Sequence, residues 1–175
     1  MTELNYEVDE EKQSPENVAR NFLQKNNLYK TPRQSNKGTI RLGSKIFGEQ
    51  YILASMYTML IKGYTNYDVA TKTGLGGTKI CFDALTNNQI DLYPEYTGTG
   101  LLAILQPQQK AIDALQGDRD KTYNYVKTEF ESRYQIKWLQ PIGFNNAYAL
   151  MMRKKQAADL GVKTISDLKE YLERK

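Results

Sequence analysis

Short strand-like segments alternate with amphipathic helices in residues 39–94, and this order limits the possible folds more than any other feature of the chain. Apolar residues at every second position favour strands, whereas apolar residues three and four positions apart favour helices. The pattern predicts strands at 39–43, 67–71 and 90–93, with helices at 49–62 and 79–88 between them. A strand–helix–strand–helix–strand order predicts a parallel α/β sheet with right-handed crossovers.

The loops that follow the three predicted strands share one edge of that sheet. In open parallel α/β sheets, ligands bind outside the carboxyl ends of the strands. The loops after Gly43, Thr71 and Tyr93 are therefore expected to meet where a binding site forms, and they are also the most distinctive stretches of the sequence.

The regions on either side of this segment have a different character. Residues 1–38 begin acidic and end polar and turn-rich, so we interpret them as a polar N-terminal extension or linker. A short helix within them is expected to begin at Pro15, with Ser14 as its cap. Residues 39–116 are assigned to a first lobe, and 117–175 to the start of an incomplete second lobe. This second part is predicted to hold helices at 118–133 and 164–174 and strands at 136–139 and 147–152.

The composition excludes several classes of chemistry. The chain has no histidine, which removes the commonest general base and the commonest metal ligand. The single cysteine, Cys81, rules out an intrachain disulfide and lies in an apolar run typical of a buried side chain. No cofactor, metal site or catalytic role is therefore predicted. The net charge of +4 is scattered rather than concentrated, which gives little support to nucleic-acid binding.

A glycine-rich segment at 73–78 permits two interpretations. Phosphate-binding loops end in Gly-Lys-Ser/Thr, and dinucleotide-binding loops have a fixed spacing of glycines next to a strand and a helix. This segment ends in Gly77-Thr78-Lys79 and matches neither pattern. We interpret it as a backbone turn into the next helix, whose N-terminal N–H groups can still face a carboxylate.

Tyrosine is unusually abundant, with 13 residues against five phenylalanines and one tryptophan. Tyr93, Tyr96 and Tyr148 lie at the ends or starts of predicted strands, and Glu95 beside the first two is interpreted as a surface or site-polarity group. A trimethylammonium group has no N–H to donate, so proteins hold it by dispersion and by the negative faces of aromatic rings. The same rings can instead fill the hydrophobic edge of a sheet, and the residues alone leave both interpretations open.

Seven segments, in order along residues 39–175, resemble the glycine betaine/carnitine/choline-binding family of ABC importers. The first reads GSKIFGEQYIL where the family usually has GSKNFTEQ, and the fourth reads IDLYPEYTGT. The related ergothioneine-binding domains share much of this pattern. The segments are 43–53, 75–78, 82–85, 90–99, 138–139, 143–150 and 164–168.

This resemblance implies a periplasmic-binding-protein-like α/β fold with two hinged lobes, here truncated in the second lobe, and a solute held in an aromatic cage between the lobes. Tyr96 is implied to form one wall of the cage, and Tyr148 a second wall from the other lobe. Lys45 and Thr99 are implied partners for a solute carboxylate. The positions that match the family's binding residues are Lys45, Gln50, Tyr96, Thr99, Asn146 and Tyr148.

The resemblance also has departures and missing parts. Ile46 and Gly48 replace the usual Asn and Thr, so the polarity near Lys45 differs from the family pattern. The remaining cage aromatics and a carboxylate-binding arginine are implied beyond Lys175. The chain shows neither a signal peptide nor a stretch of about 18 apolar residues, so as written it is expected neither to span a membrane nor to carry its own export signal. In some importers of this class the binding domain is fused behind the permease, and residues 1–38 would then be a tether at the extracytoplasmic face of the membrane.

The leading functional prediction is a non-enzymatic binding domain that serves an ABC permease and binds a quaternary-ammonium osmoprotectant such as glycine betaine, choline or carnitine. An ergothioneine-type binding domain of the same importer class is the first alternative. A nucleic-acid or anionic-surface binding protein that stacks bases on its tyrosines is the second. An enzyme on an α/β scaffold is the third.

Overall fold

The computed structural model describes residues 1–115, 117–146 and 150–174. The chain divides into two compact units, Met1–Pro141 and Ile142–Lys175. The second unit contains helices α8 (Lys154–Leu160) and α9 (Ile165–Glu173). The first unit contains strands β1 (Thr39–Gly43) and β2 (Asp68–Lys72), a π-helix at Gly100–Leu105, and helices α1 (Thr2–Asp9), α2 (Pro15–Lys25), α3 (Gly48–Tyr64), α4 (Thr78–Thr86), α5 (Thr97–Thr99), α6 (Gln109–Leu115) and α7 (Arg119–Tyr134).

The first unit contains a small parallel sheet, as the strand order predicts. β1 and β2 pair in parallel, with Gly43 opposite Lys72. The predicted third strand is reduced to one parallel bridge, between Leu42 and Leu92. Pro94 follows closely and has no N–H to continue the ladder, which explains why the pairing stops there.

Residues 1–38 contribute two helices to the first unit, although their polar composition suggests an extension or linker. α2 begins as predicted, because Ser14 Oγ accepts a hydrogen bond from Asn17 N at 3.2 Å and Pro15 is the first helical residue. Each helix buries only a narrow apolar stripe, so the mostly polar composition of the segment does not indicate that its helices pack on the domain. The cluster that joins α1 and α2 to α3 contains Leu4, Val18, Ala19, Leu23, Ile52 and Met56.

α7 confirms the helix predicted at 118–133 and carries a second hydrophobic cluster of the first unit. Its residues Val126 and Phe130 are buried together with Leu101 and Leu105 of the π-helix. The ring of Trp138 packs against Phe130, with the two ring centroids 5.1 Å apart. The segment after α7 is therefore attached to the helix by aromatic contacts.

The strand predicted at 136–139 is wrong: these residues have no regular secondary structure. α7 ends at Tyr134, the φ of 58° at its C-cap Gln135 turns the chain, and Trp138 then packs on the helix instead of joining a sheet. The strand predicted at 147–152 lies partly outside the described residues, and 150–152 have no regular secondary structure.

The second unit confirms the helix predicted at 164–174. The Thr164 side chain accepts from Asp167 N, and the Asp167 side chain accepts from Thr164 N, which is a capping box. This compact unit begins at Ile142, whereas the second lobe is predicted to begin at residue 117. Compact units and the lobes of a binding protein are different divisions of a chain, so the lobe assignment stays a prediction. Within the described residues, no helix combines the length and the hydrophobicity that crossing a bilayer requires.

An exposed ion pair holds the segment next to Leu92, where the third strand is predicted, beside β1. Arg41 Nε donates to Asp91 Oδ2 at 3.0 Å, and Arg41 N donates to the same oxygen at 2.7 Å. The hydrogen bonds from Arg41 hold the pKa of the Asp91 carboxyl below its ordinary value of 3.8.

Asp91→Asn is therefore expected to destabilise the protein near neutral pH. A carboxyl whose pKa is lowered by folding stabilises the folded state above the pKa of the unfolded chain, and this contribution is lost as the pH falls through the folded-state pKa. Urea unfolding should show a constant difference from the wild type above about pH 5, which shrinks as the pH falls below about 4. A difference that does not change with pH would contradict this role of the ion pair.

Candidate functional site

The loops after β1, after β2 and after the Leu92 bridge meet at one edge of the sheet, as predicted from the strand order. Ser44 connects the first two loops, because its N–H donates to Lys72 O at 3.3 Å and its Oγ accepts from Gly74 N at 3.2 Å. Gly43 N donates to Leu92 O at 2.9 Å, and this hydrogen bond anchors the third loop. Hydrogen bonds that involve the backbone thus fix the three loops to one another.

The glycine-rich segment after β2 is a backbone turn into α4, as interpreted from the sequence. Gly74 and Gly76 have φ angles of 70° and 144°, which glycine adopts without steric cost. A Cβ at position 74 would also lie only 2.8 Å from Tyr51 Oη. The glycines therefore allow this turn to approach α3 closely before the chain enters α4 at Thr78.

A buried ion pair lies at this edge of the sheet. Lys45 Nζ contacts Glu95 Oε1, and only 2% of the lysine side chain and 6% of the glutamate side chain are exposed. Tyr96 N donates to the same carboxylate oxygen at 2.8 Å. The other oxygen, Glu95 Oε2, is buried and has no hydrogen-bond partner among the described residues. Burial, together with the negative charge of Glu95, raises the pKa of the nearby Tyr93 phenol, so Tyr93 is protonated at neutral pH.

Polar contacts fix the orientation of the Tyr96 ring. Gln50 Nε2 donates to the phenol oxygen at 3.1 Å, and the phenol donates in turn to Glu49 Oε1. Gln50 Oε1 accepts from Lys45 N at 3.3 Å, so the first turn of α3 connects the ring to the loop after β1. The Lys45 ammonium lies 4.9 Å from the centre of the Tyr96 ring, which is within the range of a cation–π interaction.

The structure brings three of the predicted site residues together, namely Lys45, Gln50 and Tyr96. Thr99 ends the short helix α5 after Tyr96, and its side chain makes no capping hydrogen bond there. Asn146 belongs to the second unit, and Tyr148 lies outside the described residues. The placement of Asn146 and Tyr148 opposite Tyr96 therefore stays a prediction.

Two carboxylates complete this site, and the sequence pattern assigns a binding role to neither. Of the two interpretations of Glu95, a surface group or a site-polarity group, the first is wrong, because the side chain is buried against Lys45. The local sequence carries no signal for this burial, because the pair joins residues 50 positions apart. Glu49 lies in the first turn of α3, where the helix dipole favours a negative charge.

The described residues offer no metal centre, because no group of three or more Cys, Asp or Glu side chains among them could hold a metal ion. Cys81 is fully buried, as predicted, and burial raises the pKa of its thiol. The thiol is therefore protonated at neutral pH and does not supply the thiolate that nucleophilic or metal chemistry needs. The site instead offers the oriented ring of Tyr96 beside the ion-paired ammonium group of Lys45. This arrangement is suited to binding a ligand.

Comparison with known proteins shows which family this chain matches and how much of each relative it covers. Residues 38–174 match the family described as the substrate binding domain of ABC-type glycine betaine transport systems. A glycine-betaine-binding protein from Pseudomonas aeruginosa is 36% identical over 134 residues, which are 77% of this chain and 40% of the relative. The ergothioneine transport permease/ergothioneine binding protein EgtU from Helicobacter pylori is 30% identical over 129 residues, which are 73% of this chain and 22% of that protein. The chain thus spans less than half the length of these curated relatives.

A solved structure supports the same conclusion about the fold. Apo YehZ from Escherichia coli matches with a TM-score of 0.57 at 26% sequence identity, over 78% of this chain and 47% of that one. This similarity confirms the periplasmic-binding-protein-like α/β fold for the matched part. The aromatic cage and the arrangement of two lobes stay predictions.

Proposed function

This chain belongs to the substrate-binding domain family of ABC-type glycine betaine transport systems, and from that premise we propose that it forms part of the solute-binding domain of an ABC importer for a quaternary-ammonium osmoprotectant. The observation that carries the proposal is the oriented Tyr96 ring, which has a cation 4.9 Å from its centre at the carboxyl edge of a parallel sheet. Ligands of open α/β sheets bind at this edge. Glycine betaine, choline, carnitine and ergothioneine all carry the trimethylammonium group that such a ring can bind.

Several aromatic rings must act together to hold such a group. Each ring contributes ~0.5–2 kcal/mol, depending on how completely water is excluded. Micromolar affinity requires about −8 kcal/mol in total. Tyr96 is proposed as one wall of the cage and Tyr148 as a second, with Asn146 adding a polar contact.

The carboxylate of a zwitterionic solute is proposed to bind near Lys45 and Thr99. Lys45 already contacts Glu95, but an ammonium group carries three N–H donors and can bind a second acceptor. A zwitterion brings one charge of each sign, so it adds no net charge to a site in which the lysine charge is already balanced. This property favours betaine-like solutes at a buried ion pair.

The proposed partner is the permease of an ABC importer, at the extracytoplasmic face of the membrane. EgtU is named as both a permease and a binding protein, which offers a precedent for a fused arrangement. Residues 1–38 are then proposed to adjoin the permease. Their two helices pack on α3, so these helices would belong to the binding domain rather than form a flexible tether.

Binding by the 175-residue chain is expected to be weak, in roughly the millimolar range, because it offers only part of the proposed cage. The test is an NMR titration of protein that carries isotope-labelled tyrosine, with glycine betaine, choline, carnitine and ergothioneine as ligands and sodium chloride as an ionic-strength control. The Tyr96 signal is identified by its loss in Tyr96→Phe. At least one solute should shift this signal in a saturable way, and no saturable shift with any of the four would overturn the proposed function.

The same titration decides between the two importer types. Tightest binding of glycine betaine, choline or carnitine supports an osmoprotectant importer. Tightest binding of ergothioneine supports the alternative that the similarity to EgtU raises.

A further inference from the structure

Helix α1 lies outside the family match, which begins at residue 38, yet it reaches the candidate site. Asn5 Nδ2 donates to Glu49 Oε2 in a long hydrogen bond of 3.5 Å. The other oxygen of this carboxylate, Glu49 Oε1, accepts the hydrogen bond of the Tyr96 phenol. The two oxygens of Glu49 thus connect the N-terminal extension with the aromatic ring.

Packing holds α1 against this part of α3. Leu4, the neighbour of Asn5, is 6% exposed and lies in the hydrophobic cluster that α1, α2 and α3 share. At the end of α1, Asp9 Oδ1 lies 3.4 Å from the place where a Cβ on residue 48 would stand, and this residue is a glycine. α1 therefore passes close to the first turn of α3, which carries Glu49.

The stability of the fold does not account for the asparagine at position 5. Its Oδ1 atom is buried and has no hydrogen-bond partner among the described residues. A buried acceptor without a partner costs about 1–3 kcal/mol. An alanine at this position would avoid that cost, so the carboxamide is best explained by what its Nδ2 contacts.

We propose that Asn5 is a positioning residue for the candidate site. It holds the Glu49 carboxylate in the orientation in which that carboxylate accepts the Tyr96 hydrogen bond, and helix α1 thereby sets the direction of the Tyr96 ring. The effect on solute binding rests on the proposed function, whereas the effect on the ring can be observed without any solute.

The first arm of the test compares Asn5→Ala with Asn21→Ala, which changes an exposed asparagine on α2. The NMR signal of the labelled Tyr96 Cζ reports the hydrogen bonding of the phenol. Asn5→Ala should shift this signal, and its urea midpoint should stay close to that of the wild type, because the variant removes an unsatisfied acceptor together with one long hydrogen bond. Asn21→Ala should leave the signal unchanged. An unchanged Tyr96 signal in Asn5→Ala overturns the proposal, and so does a shift that accompanies a lower urea midpoint.

The second arm measures solute affinity and separates this inference from the proposed function. Asn5→Ala should weaken binding by roughly threefold to tenfold, the loss expected for one hydrogen bond of ordinary strength. If the wild type binds none of the four solutes but Asn5→Ala still shifts the Tyr96 signal, the proposed function fails and the positioning role stands. If the wild type binds solute and Asn5→Ala binds it equally well, with an unchanged Tyr96 signal, the positioning role fails and the proposed function stands.

Discussion

Lys45→Met is expected to lower the free energy of unfolding by about 3–5 kcal/mol, because it leaves one charge of a buried ion pair without its partner. The Glu95 carboxyl would lose its cationic partner in a site where only 6% of its side chain is exposed. Methionine matches the lysine side chain as far as Cε and lacks only the ammonium group, so lost packing is small. Urea denaturation measures the loss as a lower midpoint at an unchanged slope.

A double variant separates the effect of charge from that of packing. Lys45→Met/Glu95→Gln removes both charges and should recover most of the lost stability. Lys79→Met breaks an ion pair with Asp83 in which 84% of the lysine side chain is exposed, so it should change stability little. A Lys45→Met protein as stable as the wild type would contradict the burial of an essential ion pair at this site.

Tyr96→Ala is expected to weaken solute binding by more than about tenfold, because it removes one aromatic wall of the proposed cage. Tyr96→Phe keeps the ring face but loses the hydrogen bonds to Glu49 and Gln50 that orient it, so it should weaken binding less than Tyr96→Ala and at least as much as Asn5→Ala. Tyr67→Ala removes a tyrosine that is 38% exposed and serves as the matched control. Tyr148→Ala is predicted from the sequence to act like Tyr96→Ala.

The result for Tyr96→Ala also decides between the two interpretations of the tyrosines. A cage wall contributes to solute affinity, whereas a ring that only fills the edge of the sheet contributes to stability. Unchanged affinity with reduced stability in Tyr96→Ala would support the second interpretation.

Local periodicity is enough to predict the elements on which the site is built. β1, α3, β2 and α4 form where strand-like and helical spacings alternate. Local periodicity does not predict α1, because its apolar residues Leu4, Tyr6 and Val8 occupy every second position and Met1 provides no side-chain cap. A helix this short is stabilised mainly by tertiary packing, which here comes from α2 and α3.

The electrostatics of the site depend on contacts that no local pattern contains. Lys45 and Glu95 are 50 positions apart in the sequence, and they pair only because the loops after β1 and after Leu92 meet at one edge. The family resemblance identifies Lys45 and Tyr96 as positions but does not say which group balances the lysine charge. Burial of Glu95 therefore becomes evident only in the assembled fold.

The affinity of choline relative to its neutral carbon analogue, dimethylbutanol, tests most directly whether Tyr96 binds a cation. The two molecules share their shape and their hydroxyl group, but only choline carries a positive charge. If a cation–π contact holds the solute, choline binds the wild type more tightly by roughly tenfold, and this preference shrinks in Tyr96→Leu, which keeps an apolar side chain at the site. Equal affinities of the wild type for the two molecules would contradict recognition of a quaternary-ammonium group by this ring.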